Sequence, residues 1–175
     1  MAQTELHNYS VQEKLNKMDV ELIDVTVNLD NANTGAYASG DVLFPLTEIP
    51  YAVAVNGGTA ILQSASIIIT GSADGSETGA LDVVITSDST ALGIVDNVAL
   101  DTNDSTSAVM DGIAGTFSIT NAINMGIVSV GSKQNIGMVC KAASETRSLY
   151  CFGIAQSTND YEQRSAVLRL GFIKD

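Results

Sequence analysis

The chain is 175 residues long, 45% hydrophobic and only 16% charged, with Asp and Glu outnumbering Lys and Arg 20 to 8 for a formal net charge of −12. That length fits one globular core, that hydrophobic content excludes disorder throughout, and that acidity argues against nucleic acid or an anionic membrane as partner, because such a surface repels phosphate. Trp is absent and aromatics make up 5%, so the core must be aliphatic, and abundant Val, Ile, Ala, Ser and Thr favour pleated strands over a helix bundle.

No window approaches the ~18 consecutive apolar residues that a membrane-spanning helix needs. The start, Met1 to His7, has neither the basic nor the apolar region of a signal peptide, so synthesis in the cytosol with reduced thiols is expected.

In chain order, residues 1–17 are polar and mixed in charge, with Glu13, Lys14 and Lys17 near Val11 and Leu15. They read as an N-terminal arm or short helix that needs a surface to lie on, ahead of a β domain over 18–175. From Asp19 the pattern alternates: Val25, Val27 and Leu29 face one way and Thr26 and Asn28 the other, as a half-buried strand requires. Asp41 to Phe44 reads as a short strand stopped by Pro45, and Ile49 to Val55 as another entered through Pro50. Asn56-Gly57-Gly58 is a turn signal and reads as a hairpin turn. Thr59 to Thr70 is the longest β segment, and Ile68 makes its end apolar on both sides, as in a strand between two covered surfaces. Leu81 to Thr86 is a further strand. Ser87 to Gly115 is irregular, with capping signals for one or two helical turns over 104–112. Strands then follow over Gly115–Thr120, Gly126–Val130, Asn135–Lys141, Ser148–Ala155 and Ala166–Ile173. Nine or ten short strands describe an all-β sandwich or jelly roll, because one flat sheet of that size hides neither its faces nor its edges.

Candidate chemistry is sparse. Asp41 and Asp82 adjoin strands, while Asp101 with Asp104 and Asp74 with Glu77 lie in loops. Paired acids cut sugars where aromatic rings line the pocket, and no such setting surrounds these. Asp101-Thr-Asn-Asp104 offers hard oxygens for Ca²⁺ but lacks the spacing and distal Glu of a calcium loop. His7, the single histidine, has no nucleophile beside it, which leaves a Ser-His-Asp arrangement unassembled. Asn56-Gly57-Gly58-Thr59 lacks the terminal Gly-Lys-Ser/Thr of a phosphate loop and leads into a strand. Cys140 and Cys151 form neither a CxxC pair nor a Cys/His cluster, so zinc is not expected. A hairpin centred on Glu145-Thr146 would make the two cysteines direct cross-strand neighbours, facing each other inside the protein; the cytosol favours buried thiols over a disulfide. No catalytic, cofactor or metal residue is assigned, and the expected activity is binding to other protein surfaces.

Five segments, taken in order, resemble a family of small virion proteins of tailed bacteriophages: Tyr37-Ala-Ser-Gly-Asp-Val-Leu, Asn56-Gly-Gly-Thr-Ala-Ile-Leu-Gln-Ser, Asn135-Ile-Gly-Met-Val-Cys-Lys-Ala, Ser148-Leu-Tyr and Leu168-Arg-Leu-Gly-Phe-Ile-Lys-Asp. They span about residues 37 to 175, and their joint order with the closing Leu-Gly-Phe-Ile-Lys-Asp carries the match. The resemblance implies a non-enzymatic particle component made in the host cytoplasm and carries over no site residues. A net charge of −12 suits the particle exterior better than its DNA-facing side. The leading expectation is a capsid decoration, or cement, protein bound to the major capsid protein or another virion protein. Homo-oligomerisation is expected, with a trimer favoured by local three-fold positions. A tail, neck or head-fibre subunit is the alternative, and a small hydrolase a distant second.

Overall fold

A computed structural model describes residues 20–29, 36–70, 80–90, 94–100, 112–120, 122–158 and 164–174. Nine strands occur among them: β1 (Val20–Leu29), β2 (Val42–Ile49), β3 (Thr59–Thr70), β4 (Leu81–Thr86), β5 (Ile113–Ile119), β6 (Ala122–Asn124), β7 (Val128–Lys141), β8 (Leu149–Ala155) and β9 (Arg164–Lys174). They form a five-stranded sheet in the order β1-β9-β3-β7-β6 and a four-stranded sheet in the order β2-β8-β4-β5, with every pairing antiparallel.

The pairings nest. β1 pairs with β9, β2 with β8, β3 with β7 and β4 with β5, which is one long antiparallel ribbon whose closed end is the β4–β5 connection. Rolling that ribbon brings β9 beside β3 and β8 beside β4 and splits it into two packed sheets. This is a jelly roll, with β6 added at one edge. Sequence alone leaves jelly roll and other sandwiches open, because period-two patterning says which residues face inward but not which strands are neighbours.

Between the sheets lies one aliphatic core. β1 contributes Ile23, Val25, Val27 and Leu29, β3 Leu62, Ala65, Ile67 and Ile69, β9 Leu168, Leu170 and Phe172, and the opposite sheet Leu43, Phe44, Val83, Ile85 and Phe117. The alternation expected along β1 is present: Asp24, Thr26 and Asn28 are exposed. Most of these core side chains are almost wholly excluded from water, and each of them except Ala65 contributes about 1.5–3 kcal/mol of burial free energy.

Several strand readings need correction. Pro45 does not stop β2, which runs on to Ile49. β2 is an edge strand, and its register against β8 slips on both sides of Phe44, so a proline that cannot donate to the ladder sits exposed at an irregularity. The strand expected over Ile49–Val55 is instead a turn region, with Tyr51 in the left-handed conformation at φ 55°. The two segments Gly126–Val130 and Asn135–Lys141 are one strand, β7, which absorbs Asn135 (φ 56°) and Gly137 (φ 67°) opposite a register shift between Leu62 and Ser64. β6 has no counterpart among the expected strands. β3 is where it is expected, central between β7 and β9, but Ile68 is only half-buried and belongs to neither buried cluster of described residues. The helical turns expected over 104–112 and the arm 1–17 lie outside the described residues, save Gly112.

Candidate interaction surface

Of the polar residues singled out in the sequence, Asp41, Asp82 and the Asn56-Gly57-Gly58 turn are among the described residues, and they serve local structure. The Asp41 carboxylate accepts the Ala38 N–H at 2.7 Å and closes the turn before β2. Asp82, half-buried on β4, accepts the Ser118 hydroxyl at 2.5 Å and the Gln156 amide at 2.6 Å, tying β5 and the end of β8 to β4. Asn56-Gly57-Gly58 is a turn but not the expected hairpin turn, because β2 and β3 lie in different sheets: Gly57 (φ 67°) donates to the Thr146 carbonyl at 2.9 Å and Gly58 to the Val55 carbonyl at 2.9 Å, locking this loop to the β7–β8 loop. The residues His7, Asp74, Glu77, Asp101 and Asp104 lie outside the described residues. Among the described residues no three His, Cys, Asp or Glu side chains gather as a metal site, and no helix is long and apolar enough to cross a membrane.

Cys140 and Cys151 are buried free thiols, but they are not cross-strand neighbours. β7 and β8 belong to different sheets, so Cys140 pairs with Ala60 and Cys151 with Thr47 and Ile85. The segment around Glu145-Thr146 passes from one sheet to the other rather than reversing within one. Both sulfurs enter the inter-sheet core, and burial pushes the Cys140 thiol up to about 11 and the Cys151 thiol up to about 12. Neither is a nucleophile near neutral pH.

An open hollow of about 290 Å³ beside β5 and β7 is lined by Ser87, Gly112, Ile113, Ala114, Val139, Lys141 and Ala142. Lys141 is the single titratable group in that lining, so no acid–base pair is assembled there.

The outer faces of the two sheets differ. On the four-stranded sheet, Val42, Val84 and Phe152 point outward and are nevertheless buried, because Ile94 lies over them with Leu46, Leu100, Ile113 and Ile154 at the margin. The segment 94–100 is held by backbone bonds from Val42 N–H to the Val98 carbonyl (3.0 Å) and from Asn97 N–H to the Val42 carbonyl (2.8 Å). The buried Tyr37 adds a bond from its hydroxyl to Asp96 at 2.9 Å.

The five-stranded sheet has no such cover among the described residues. One transverse row on its outer face runs Thr26, Val167, Ile68, Val130 and Ile123 through all five strands. A second, at the far end, runs Val20, Ile173, Ile61 and Val139. Between them Arg169 grips Asp24 with two bonds of 2.7 Å, which holds the Asp24 carboxyl below the usual carboxylate range. The β6–β7 turn at the sheet's edge projects Ile123, Met125 and Ile127, exposed by 69%, 62% and 71%. Gly126 (φ 90°) makes that turn, and Met125 N–H donates to the Val128 carbonyl at 2.7 Å. Three large apolar side chains that exposed on one ordered hairpin are the mark of a contact surface rather than scattered surface leucines. Sequence reasoning missed them, although a signal is present: in so acidic a chain, no Asp, Glu, Lys or Arg occurs from Gly112 to Ser132.

Charge is also divided between the sheets. The five-stranded sheet carries Lys133, Lys141, Arg169 and Lys174 against Glu21 and Asp24, and both acids are taken up in ion pairs, with Lys174 and with Arg169. The four-stranded sheet and the described segments beside it carry Asp41, Glu48, Asp82, Asp88 and Asp96 against one cation, Arg147, whose guanidinium lies 4.5 Å from the Tyr51 ring centre at the end of the sheet away from Ile94.

No protein-family model matches the chain, and no curated protein matches it. Solved structures with a similar fold include a chain of the acidic stable capsid of Helicobacter pylori bacteriophage KHP30, at 14% identity and TM-score 0.30, covering 88% of this chain and 86% of that one. A chain of the cyanophage Pam1 capsid gives 10% identity and TM-score 0.34 over 89% and 85%. Tomato aspermy virus gives 4% identity and TM-score 0.33 over 99% and 96%. Likenesses this distant carry no argument about what this chain does. The jelly roll rests on the strand order above.

Proposed function

We infer that the chain is a non-enzymatic structural component of a virus particle and acts as a decoration protein on the outside of the shell. The observation that carries this reading is the apolar outer face of the five-stranded sheet, which no described residue covers and which ends in the exposed Ile123, Met125 and Ile127. The five segments Tyr37–Leu43, Asn56–Ser64, Asn135–Ala142, Ser148–Tyr150 and Leu168–Asp175, taken in sequence with their resemblance to tailed-phage virion proteins, supply the kind of assembly. The charge of −12 supplies the side of the shell. In this reading the chain is made in the host cytoplasm and joins the virion as a homo-oligomer, with a trimer at local three-fold positions. Its β body (18–175) contacts the major capsid protein, and its arm (1–17) reinforces that contact. Binding the assembled shell and not its dissociated subunits stabilises the particle by mass action.

A second reading is favoured by the jelly-roll topology, which also builds viral shells themselves. The two separate on stripped particles. Purified virions treated to release this chain should keep closed shells in electron micrographs and lose only heat resistance. Shells that fall apart as the chain leaves would make it a shell subunit. Copy number, by quantitative mass spectrometry against the major shell protein, should be near stoichiometric. About a dozen copies or fewer would move the chain to tail, neck or fibre, and absence from virions would end the particle reading.

A further inference from the structure

We propose that the chain self-associates head to tail: the β6–β7 hairpin and outer face of the five-stranded sheet of one copy seat on the covering segment 94–100 and acidic flank of the four-stranded sheet of the next. This self-association stands whatever the particle role, since it concerns the chain alone.

Two complementarities on the same molecule lead to this occupant. The first is charge. On β7, Lys133 and Lys141 are exposed, while the described cations of β9 are paired with Glu21 and Asp24; the surface they would meet holds Asp41, Glu48, Asp88 and Asp96 against Arg147 alone, and a second copy brings that acidic surface with it. Lys133 follows the uncharged stretch that ends at Ser132, is exposed, and stands next to the hairpin strand. A face-to-face pairing of two identical surfaces would place like charges opposite one another instead, which costs affinity.

The second complementarity is apolar. Ile123, Met125 and Ile127 need a partner that presents apolar side chains of its own. The covering segment exposes Val95 by 56% and Val98 by 49%, with half-buried Asp96 between them. An exposed hydrophobic hairpin flanked by Lys thus faces exposed valines flanked by Asp. Contacts between two different patches of one chain are heterologous, and they close into rings when the rotation between copies allows it. That route to a trimer needs no two-fold interface.

The test uses the purified full-length chain in sedimentation velocity, across concentration and at low and high salt. Wild type should associate, and less tightly at high salt, because the charges at the rim of the contact are screened. Ile127→Asp removes the head and Val95→Asp the tail. Both positions are exposed, so circular dichroism and the thermal midpoint should match wild type. Each variant alone should associate about tenfold more weakly or worse. A one-to-one mixture of the two should recover association, but only to dimers, because the single intact contact between them leaves a disabled surface at each end. If either variant fails to fold, Met125→Asp and Val98→Asp replace it with the same expectations.

Three results overturn the proposal: a wild type that is monomeric at every concentration, a Val95→Asp chain that associates as wild type does, or an Ile127→Asp chain that does so. A monomeric wild type that sediments with phosphatidylcholine vesicles through Ile127 would assign the hairpin to a membrane surface and likewise overturn it.

Discussion

The outer faces of the two sheets begin from the same material and end in opposite states. Both present β-branched and aliphatic side chains away from the core. On the four-stranded sheet, the chain between β4 and β5 turns back and lays Ile94 on Val42, Val84 and Phe152, giving a second small core outside the first. On the five-stranded sheet, Ile68, Val130 and Val167 are only half-buried, and Ile123 is 69% exposed. An antiparallel sheet can leave one face to solvent when that face is polar. Here it is crossed by two apolar rows, so it resembles an interface with its partner removed. The difference teaches where to look for function when the described residues assemble no chemical centre: on the face that they leave uncovered.

Substitutions can break or sharpen that contrast. The largest effect is expected on the covered face, where Phe152→Ala should lower unfolding free energy by about 3–5 kcal/mol in urea titration, and Ile94→Ala by about 2–5 kcal/mol. Ile123→Ala on the bare face should stay within about 0.5 kcal/mol of wild type. Equal losses at Phe152 and Ile123 would mean that both faces are covered and would erase the distinction.

Next comes Gly153→Ala. A Cβ at this position on β8 would run into the Phe44 ring on the edge strand β2, so the ring must leave its place in the inter-sheet core. Overpacking of this kind should cost about 1–3 kcal/mol, read as a lower urea midpoint with an unchanged slope.

The two buried thiols give a smaller, pH-dependent effect. Their pKa values are raised in the folded chain, to about 11 for Cys140 and about 12 for Cys151, from an ordinary value of 9.0. Above about pH 9 the unfolded chain releases thiol protons that the folded chain retains. Stability is therefore full below that pH and falls as pH rises toward 11, by at most about 1.4 kcal/mol per pH unit for each thiol. The Cys140→Ser/Cys151→Ser double variant should flatten the decline, and a thiol reagent at pH 8 should label both cysteines only after denaturation.

The smallest effect is expected at the ion pair between the apolar rows. Arg169→Gln should leave the thermal midpoint within error, because both groups of the pair are largely in water. Asp24 should then titrate at a higher pH in NMR, since the guanidinium that lowers it is gone.

Much of this architecture is legible in the amino-acid sequence. Alternation locates β1, β3, β4, β8 and β9 and most of β5, because a strand buried on one side writes its period into the chain. Aliphatic composition without Trp points to a sandwich, and Asn56-Gly57-Gly58 announces its own turn. Pro45 misleads because a proline is barred from a central strand but not from an edge, and edge status is a property of neighbours. The cysteine pairing fails for the same reason: a short connection between two strands reads alike whether it reverses within a sheet or crosses between sheets. The sequence by itself determined which residues turn inward, that the core is aliphatic, and that few side chains of catalytic type are present. The tertiary structure alone decided that the ribbon rolls into a jelly roll, that 94–100 covers one sheet and not the other, and that Ile123, Met125 and Ile127 gather on a bare edge. Burial period is local and survives in one dimension, whereas strand order and the partner of a face depend on contacts between residues far apart in the chain.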